Sequence, residues 1–415
     1  MLKDYVGLIR QQPAFLLFGL LAAALSSFGQ TFYIGLFSGE IRDDFDLSHG
    51  QFGLYYSLAT LASGFAILWV GRLVDRLDLR VISALTVSTF GIASIIMALV
   101  VHPLSLLATL FLLRLLGQGM MGHIAITAMS RYFTQARGRA IAIAASGFPL
   151  GEAVLPLVAI SLTVTIGWRN TWLTSGLALL FIGLPLLLAL LQHQPRRDRL
   201  WRLKQHRQQR PGHRASQRQW AVSDVLTDAR FWLLMPIILS PAFYVTGFFF
   251  HQVHLAEAKT WPLQWLAACF AVFAATQFTG LMTAGYLTDR ITARRLLPFY
   301  LLPLAGGMIV IWLGNSIWWM PLYMALFGLT AGTSATIVAA IWAEMYGTRH
   351  LGSIRSIYTS LMVFATAASP WLMGSMLDGD LHMEELAMLS FFWLLGASSL
   401  SFLLGPALSK RQRHA

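Results

Sequence analysis

The segment GRLVDRLDLR, Gly71 to Arg80, returns as GYLTDRITARR, Gly285 to Arg295, displaced by 214 residues from Gly71 to Gly285. Each copy is a glycine, three residues, Asp-Arg and a short run ending in arginine, and each follows a long apolar window. A weaker echo at nearly the same offset relates SRYFTQARGRA, from Ser130, to AEMYGTRHLGS, from Ala343. A polar turn repeated at matching places in two apolar halves reads as a duplicated membrane bundle, two parallel repeats joined by a long connection.

Composition points the same way. Of 415 residues 56% are apolar and 12% charged, about half the charged share of a soluble globular chain. The mean hydropathy is +0.63. Together these exclude a cytosolic enzyme, a disordered chain and a coiled coil, and leave a polytopic membrane protein. The single cysteine, Cys269, rules out an intrachain disulfide framework or a thiolate metal cluster.

A helix that crosses the hydrocarbon core needs ~20 mostly apolar residues. Twelve windows qualify, near 14–38, 51–71, 81–101, 104–128, 139–164, 172–191, 231–255, 263–287, 295–314, 318–343, 353–376 and 384–406. The first is too long for a signal h-region and reads as a retained span. Of the 30 Lys and Arg residues, 26 fall on one set of alternate connections and only Arg42, Arg169 and Lys259 on the other, with Arg114 inside a span. That asymmetry predicts twelve spans with both termini cytoplasmic. The net charge of +12 thus serves orientation and implies no nucleic-acid partner. The basic stretch 192–230, broken by Pro195, Pro211 and Gly212, divides the chain into a bundle at 1–191 and a bundle at 231–415. It reads as a flexible linker or as a contact for anionic lipid.

The G-x-x-x-D-R turn after the second span and again after the eighth is similar to the cytoplasmic signature of the major facilitator superfamily, and the resemblance covers essentially the whole chain. It departs where that signature continues with Gly and two basic residues: Asp78, Leu79 and Arg80 follow the first copy, and Thr292, Ala293 and Arg294 the second. The resemblance implies an all-α membrane protein with twelve transmembrane helices in two pseudo-symmetric six-helix bundles. It also implies a secondary active transporter of a bacterial-type cytoplasmic membrane, monomeric, without a cofactor or enzymatic activity. Gly71 and Gly285 are expected to let neighbouring helices approach. Asp75 with Arg76, and Asp289 with Arg290, are expected to form a gate latch. By family analogy Asp75 reaches the start of the eleventh span near Gly352 to Ser356, and Asp289 the start of the fifth near Gly138 to Ile141; a carboxylate is attracted to the unpaired amides there.

Two ionisable groups sit deep in spans, Arg114 in RLLGQGMMGH and Glu152 in ASGFPLGEAVLPL, each within ~3 Å of the midplane of its window. An unpaired charge there costs about 2.5–3.5 kcal/mol on translocon scales, so both should face a bundle interior or a wet cavity. Arginine cannot be neutralised by burial. Its position resembles an arginine in the fourth helix of many proton-linked facilitators, and two readings stand: a fork for a substrate carboxylate, or a permanent ion pair with Glu152. Glu152 is the candidate for the coupling proton, against a static hydrogen bond. Gly147 and Gly151 beside it form a small-xxx-small face.

The segment from Tyr132 to Gly151 also resembles the monocarboxylate-porter branch, although the basic residue that branch commonly has in the eighth helix is missing around Gln277. Further cavity candidates are Gln118, four residues beyond Arg114; Gln30 and Tyr33, on one face of the first span with Ser26 and Phe37; Tyr244 and His251, with Phe248 in the seventh; Gln277; and Trp342. His251 and His254 lack a third metal ligand, and no phosphate loop or hydrolase motif is present. The expected substrate is a small organic anion moved with a proton. The alternatives are proton-driven efflux of amphipathic or cationic compounds and a non-transporting receptor of the same fold.

Overall fold

The computed structural model describes residues 2–133, 136–192, 222–346 and 351–409, and among them there is no strand. Among the described residues, ten helical segments are long and apolar enough to cross a membrane. One of them, Gly138–Leu190, is 53 residues long, and at Gly167 its backbone turns to φ +80, a conformation open to glycine at little cost. It therefore supplies two crossings. With the shorter apolar helix Leu302–Leu313 the crossings number twelve: α1 (Pro13–Gly35), α2 (His49–Val70), α3 (Leu79–Leu99), α4 (Pro103–Tyr132), α5 (138–166), α6 (168–190), α7 (Ala229–Phe250), α8 (Leu263–Thr288), α9 (Leu302–Leu313), α10 (Trp319–Tyr346), α11 (Ile357–Asp378) and α12 (Met383–Leu403).

The helices cluster into two compact units: Met1–Asp46 with Leu58–Arg214, and Leu47–Ser57 with Ala215–Ala415. The start of α2, His49 to Ser57, thus groups with the second unit while the rest of α2 belongs to the first.

Backbone contact between small residues builds both units. In unit 1, a Cβ on Gly147 would meet Ala23 and the Leu20 carbonyl, and one on Gly151 would meet Ser27 and the Ala24 carbonyl, so α5 lies directly on α1. Gly29 of α1 and Gly117 of α4 face each other in the same way. In unit 2, Gly328 and Gly332, a G-x-x-x-G pair on α10, sit on the backbone of α8 at Phe273 and Gln277, and Gly280 answers from α8. Lipid tails are as apolar as leucine, so such packing carries much of helix association in a membrane. Gly71 and Gly285 are not of this kind. A Cβ at Gly285 would meet nothing within 4 Å, and at Gly71 the near atom is the Ile67 carbonyl of its own helix, with His123 Nε2 at 3.7 Å.

Each repeated turn is tied to the end of the fourth helix of its own half. In unit 1, Arg131 Nη1 donates to the Val74 carbonyl at 3.1 Å. In unit 2, Glu344 accepts the backbone N–H groups of Ala293 at 2.8 Å and Arg294 at 3.3 Å. The weaker sequence echo, which aligns Arg131 with Glu344, marks these two anchors.

Candidate functional site

The first span is not one helix. It runs as α-helix over Pro13–Leu25, tightens to a 3₁₀ turn over Ser26–Gly29, becomes extended at Gln30 (φ −84, ψ 156) and resumes at Thr31–Gly35. Such a break frees backbone carbonyls that lipid cannot satisfy. Arg114, 2% exposed, supplies donors to it. Its Nη1 donates to the Gly29 carbonyl at 3.1 Å and lies 3.4 Å from Thr31 Oγ1, and its Nε donates to Thr60 Oγ1 of α2 at 3.1 Å. Gly29 and Gly117 remove the side chains that would otherwise hold α1 and α4 apart.

Around the arginine α4 widens into a π-helix over Arg114–Met121, where hydrogen bonds run i→i+5. The wider turn moves Gln118 off the arginine's face. Gln118 is exposed, and Gly119, whose Cβ would lie 3.6 Å from the Arg114 carbonyl, stands over it instead. The break at Gln30 likewise separates the residues that a continuous first helix would align. Gln30 is half-buried at the break. Tyr33 is buried, its hydroxyl 2.8 Å from Ser175 Oγ on α6 and its ring edge-on to Trp172 at 5.3 Å. Glu152 is half-buried on α5, one residue from Gly151 where α5 touches α1, with Oε2 shielded from solvent.

The candidates of unit 2 do not form one cluster. Tyr244 lines a cavity of about 530 Å³ between α7, α11 and α12, with Trp232, Pro236, Ser240, Ala365 and Trp393. Trp393 Nε1 donates to Ser240 Oγ there at 3.1 Å. Gln277 lies at the α8–α10 crossing, its Oε1 buried without a hydrogen-bond partner. Trp342 is fully buried among Phe231, Tyr346 and Tyr358. His251 is 3% exposed and its Nε2 is 3.0 Å from the Pro370 carbonyl; the preceding residue, Ser369, bonds back to α7 at the Phe243 carbonyl. No group of three metal-binding side chains occurs among the described residues.

Of the gate residues, Arg76 is exposed and Arg290 lies over the Tyr286 ring at 4.4 Å. The carboxylates of Asp75 and Asp289, and the side chains of Gly352 to Ser353 and of Ser356, lie outside the described residues, as do 193–221 of the central stretch.

Sequence reasoning missed three polar staples. Asp228 is paired with Arg230 at 2.6 Å and accepts the Tyr346 hydroxyl at 3.3 Å. Burial pushes the Asp228 carboxyl up, but the bonds and charge of Arg230 outweigh it and hold it below the ordinary carboxylate value. The other two hold the side that is poor in basic residues. Arg169 pairs with Asp44 at 3.2 Å and donates to the Ala98 and Val100 carbonyls. Lys259, its side chain 1% exposed, pairs with Glu384 at 2.9 Å and donates to Asn315 Oδ1 at 3.1 Å. A signal existed: a lysine or arginine on the sparse side of a topology map needs a local reason.

Twelve apolar crossings, a buried guanidinium at a broken first helix and a duplicated polar turn define an integral multi-pass membrane protein of the transporter type. The family model "Major Facilitator Superfamily" matches residues 19–370, and the chain belongs to that family; it is a membrane transporter of a small molecule and not an enzyme. No curated protein matches it by sequence. Among solved structures it is similar to a bacterial homolog of the human lysosomal transporter Spinster in an inward-facing, occupied conformation. That match has TM-score 0.71 and 17% identity and covers 94% of this chain and 96% of that one. The inward-facing, unoccupied form of the homolog matches with TM-score 0.65 and 15% identity over 96% and 98%. At such identities the likeness is one of fold.

Proposed function

We propose that this transporter moves a small organic anion, a monocarboxylate by preference, together with a proton across a bacterial-type cytoplasmic membrane, with both termini cytoplasmic and the chain working as a monomer. The observation that carries this reading is the Arg114 guanidinium, permanently charged, buried at mid-span and bonded to the Gly29 carbonyl and two threonine hydroxyls. A planar guanidinium fork can take a carboxylate in a bidentate contact. Glu152, on the helix that touches the same break, is the proton carrier in this scheme.

Coupling requires that anion and proton favour one state of the transporter over another by different amounts. Alternating access between the halves 1–191 and 231–415, latched by Asp75 with Arg76 and by Asp289 with Arg290 beside Gly71 and Gly285, supplies the two states. Gln30, Gln118, Tyr33, Tyr244, His251, Gln277 and Trp342 are the substrate-lining candidates.

One observation favours a second reading. The aromatic cavity at Tyr244 and Trp393 suits an amphipathic or cationic solute exported in exchange for protons. Thermal stabilisation by a panel of small carboxylates and lipophilic cations separates the two. Stabilisation by carboxylates that weakens at least tenfold in Arg114→Lys supports the anion clamp. Carboxylate binding untouched by that change removes it, a response to cations alone favours export, and silence with both favours a receptor.

A further inference from the structure

The first turns of α2 are seated on α7 and α11 by a compact set of contacts, at the ends of these helices opposite the basic turns. Asp378, the last residue of α11, accepts Ser48 Oγ at 2.6 Å, the His49 N–H at 3.0 Å and the Gly50 N–H at 2.8 Å. It thereby caps the N-terminus of α2, where a carboxylate is favoured by the helix dipole. Glycines make the seat possible: a Cβ at Gly50 would strike Asp378 and Ser375, one at Gly53 the Pro370 carbonyl, and one at Gly374 the His49 carbonyl. Phe52 stacks on Phe250 at 5.0 Å, Tyr56 packs tilted against the same ring at 4.7 Å, and Ser57 Oγ bonds the Ala367 carbonyl.

Three imidazoles meet on this seat. The His49 ring centroid lies 4.3 Å from that of His254 and 5.8 Å from that of His251. His251 is buried with Nε2 on the Pro370 carbonyl, an acceptor that makes Nε2 the protonated nitrogen of a neutral ring. His49 and His254 are half-buried, within reach of solvent protons. Titratable groups beside His49 include His251 and His254, from the end of α7 and the helix Gln252–Ala258, and Asp378 from α11. Glu257 of the helix Gln252–Ala258 and Asp380, two residues beyond α11, are exposed.

From this we infer that His49, His254 and His251 form a proton-binding site whose occupancy unseats the start of α2 from α7 and α11. A proton taken up by an imidazole nitrogen of His49 or His254 creates an imidazolium. One such charge is offset by Asp378. A second, with ring centroids 4.3 Å apart, is opposed by like-charge repulsion. Histidine is the side chain whose ordinary value places this change near neutral pH. The seated segment Leu47–Ser57 lies in unit 2 while the chain on both sides of it lies in unit 1. A tenfold difference in proton affinity between seated and released states moves the seating equilibrium about tenfold across the titration.

The test is hydrogen exchange of residues 47–57 in the full chain in lipid nanodiscs, without substrate, at about pH 8 and about pH 5.5, corrected for intrinsic rates. The wild-type chain is expected to lose about tenfold or more of its protection on acidification. A His49→Gln, His254→Gln double variant should stay within about threefold, and Asp378→Asn should show low protection at both pH values. Wild-type protection that does not move between the two conditions overturns the site, as does an equal loss in the double variant. If the double variant yields no folded protein, His254→Gln alone, a change at a half-exposed ring, is read in its place by the same criterion. Because the readout needs no solute, it stands or falls apart from the nature of the substrate at Arg114.

Discussion

Replacing Arg114 by lysine should weaken unit 1 even though the charge is kept. The guanidinium spans two helices at once, Nε on Thr60 Oγ1 of α2 and Nη1 on the Gly29 carbonyl and Thr31 Oγ1 of α1. An ammonium on a four-carbon stem is a point charge and cannot hold both sides. At least two bonds are then lost. Hydrogen bonds to charged groups contribute about 1.5–3 kcal/mol each in soluble proteins, whereas side-chain bonds between membrane helices average nearer ~0.6 kcal/mol. The loss is therefore bracketed between about 1 and 6 kcal/mol, and the near-complete burial of Arg114 puts it above the lower bound. Arg114→Met also strips the Gly29 carbonyl of its donor, at about 1–3 kcal/mol for an unsatisfied buried acceptor, but it removes the burial of a charge. Methionine should thus be no worse than lysine. Unfolding free energies measured in bicelles, wild type against both variants, test this. A lysine variant within about 0.5 kcal/mol of wild type, below the bracket, would refute the role of the guanidinium in holding the break.

Other outcomes follow from the same contacts. Gly332→Ala should destabilise unit 2 by about 1–3 kcal/mol, as overpacking does, because its Cβ would run into the Gln277 backbone. Gly285→Ala, with open space around it, should be neutral or stabilising by up to ~1 kcal/mol; equal effects on the thermal midpoint would contradict the packing described. Glu384→Gln strands the buried Lys259 ammonium, whereas Lys259→Met leaves a carboxylate that is one-third exposed, so the glutamate change should be the costlier of the two in unfolding experiments. For Asp228, a carboxyl held below its unfolded-chain value adds stability above that value, and the gain disappears as pH falls through the lowered one. Arg230→Gln should therefore flatten the acid limb of a melting-temperature profile below about pH 4 and do little near neutrality; an unchanged acid limb would count against the pairing.

Much of this architecture is legible in one dimension because a bilayer imposes a one-dimensional rule. Span count and the depth of Arg114 and Glu152 follow from counting apolar residues, and the α5 contact follows from the spacing of Gly147 and Gly151. The features that escaped depend on partners far away in the chain. Nothing local forces α1 to break at Gln30; the break is matched by an arginine 84 residues on (Gln30 to Arg114). The π-helix at Arg114–Met121 shifts register by one residue, enough to undo the pairing of Arg114 with Gln118 that α-helical spacing suggests. His251 lies near the end of its window, and its burial against the Pro370 carbonyl of α11 has no mark in the local sequence. The Gly328–Gly332 pair was readable but carries no polar flag.

The most direct measurement is proton flux in proteoliposomes on addition of small carboxylates, with wild type beside Glu152→Gln. Carboxylates should acidify the lumen through the wild-type protein, and the acidification should vanish in the variant while binding at Arg114 persists. Acidification that survives Glu152→Gln, or proton movement that answers only to lipophilic cations, would contradict anion–proton coupling at this site.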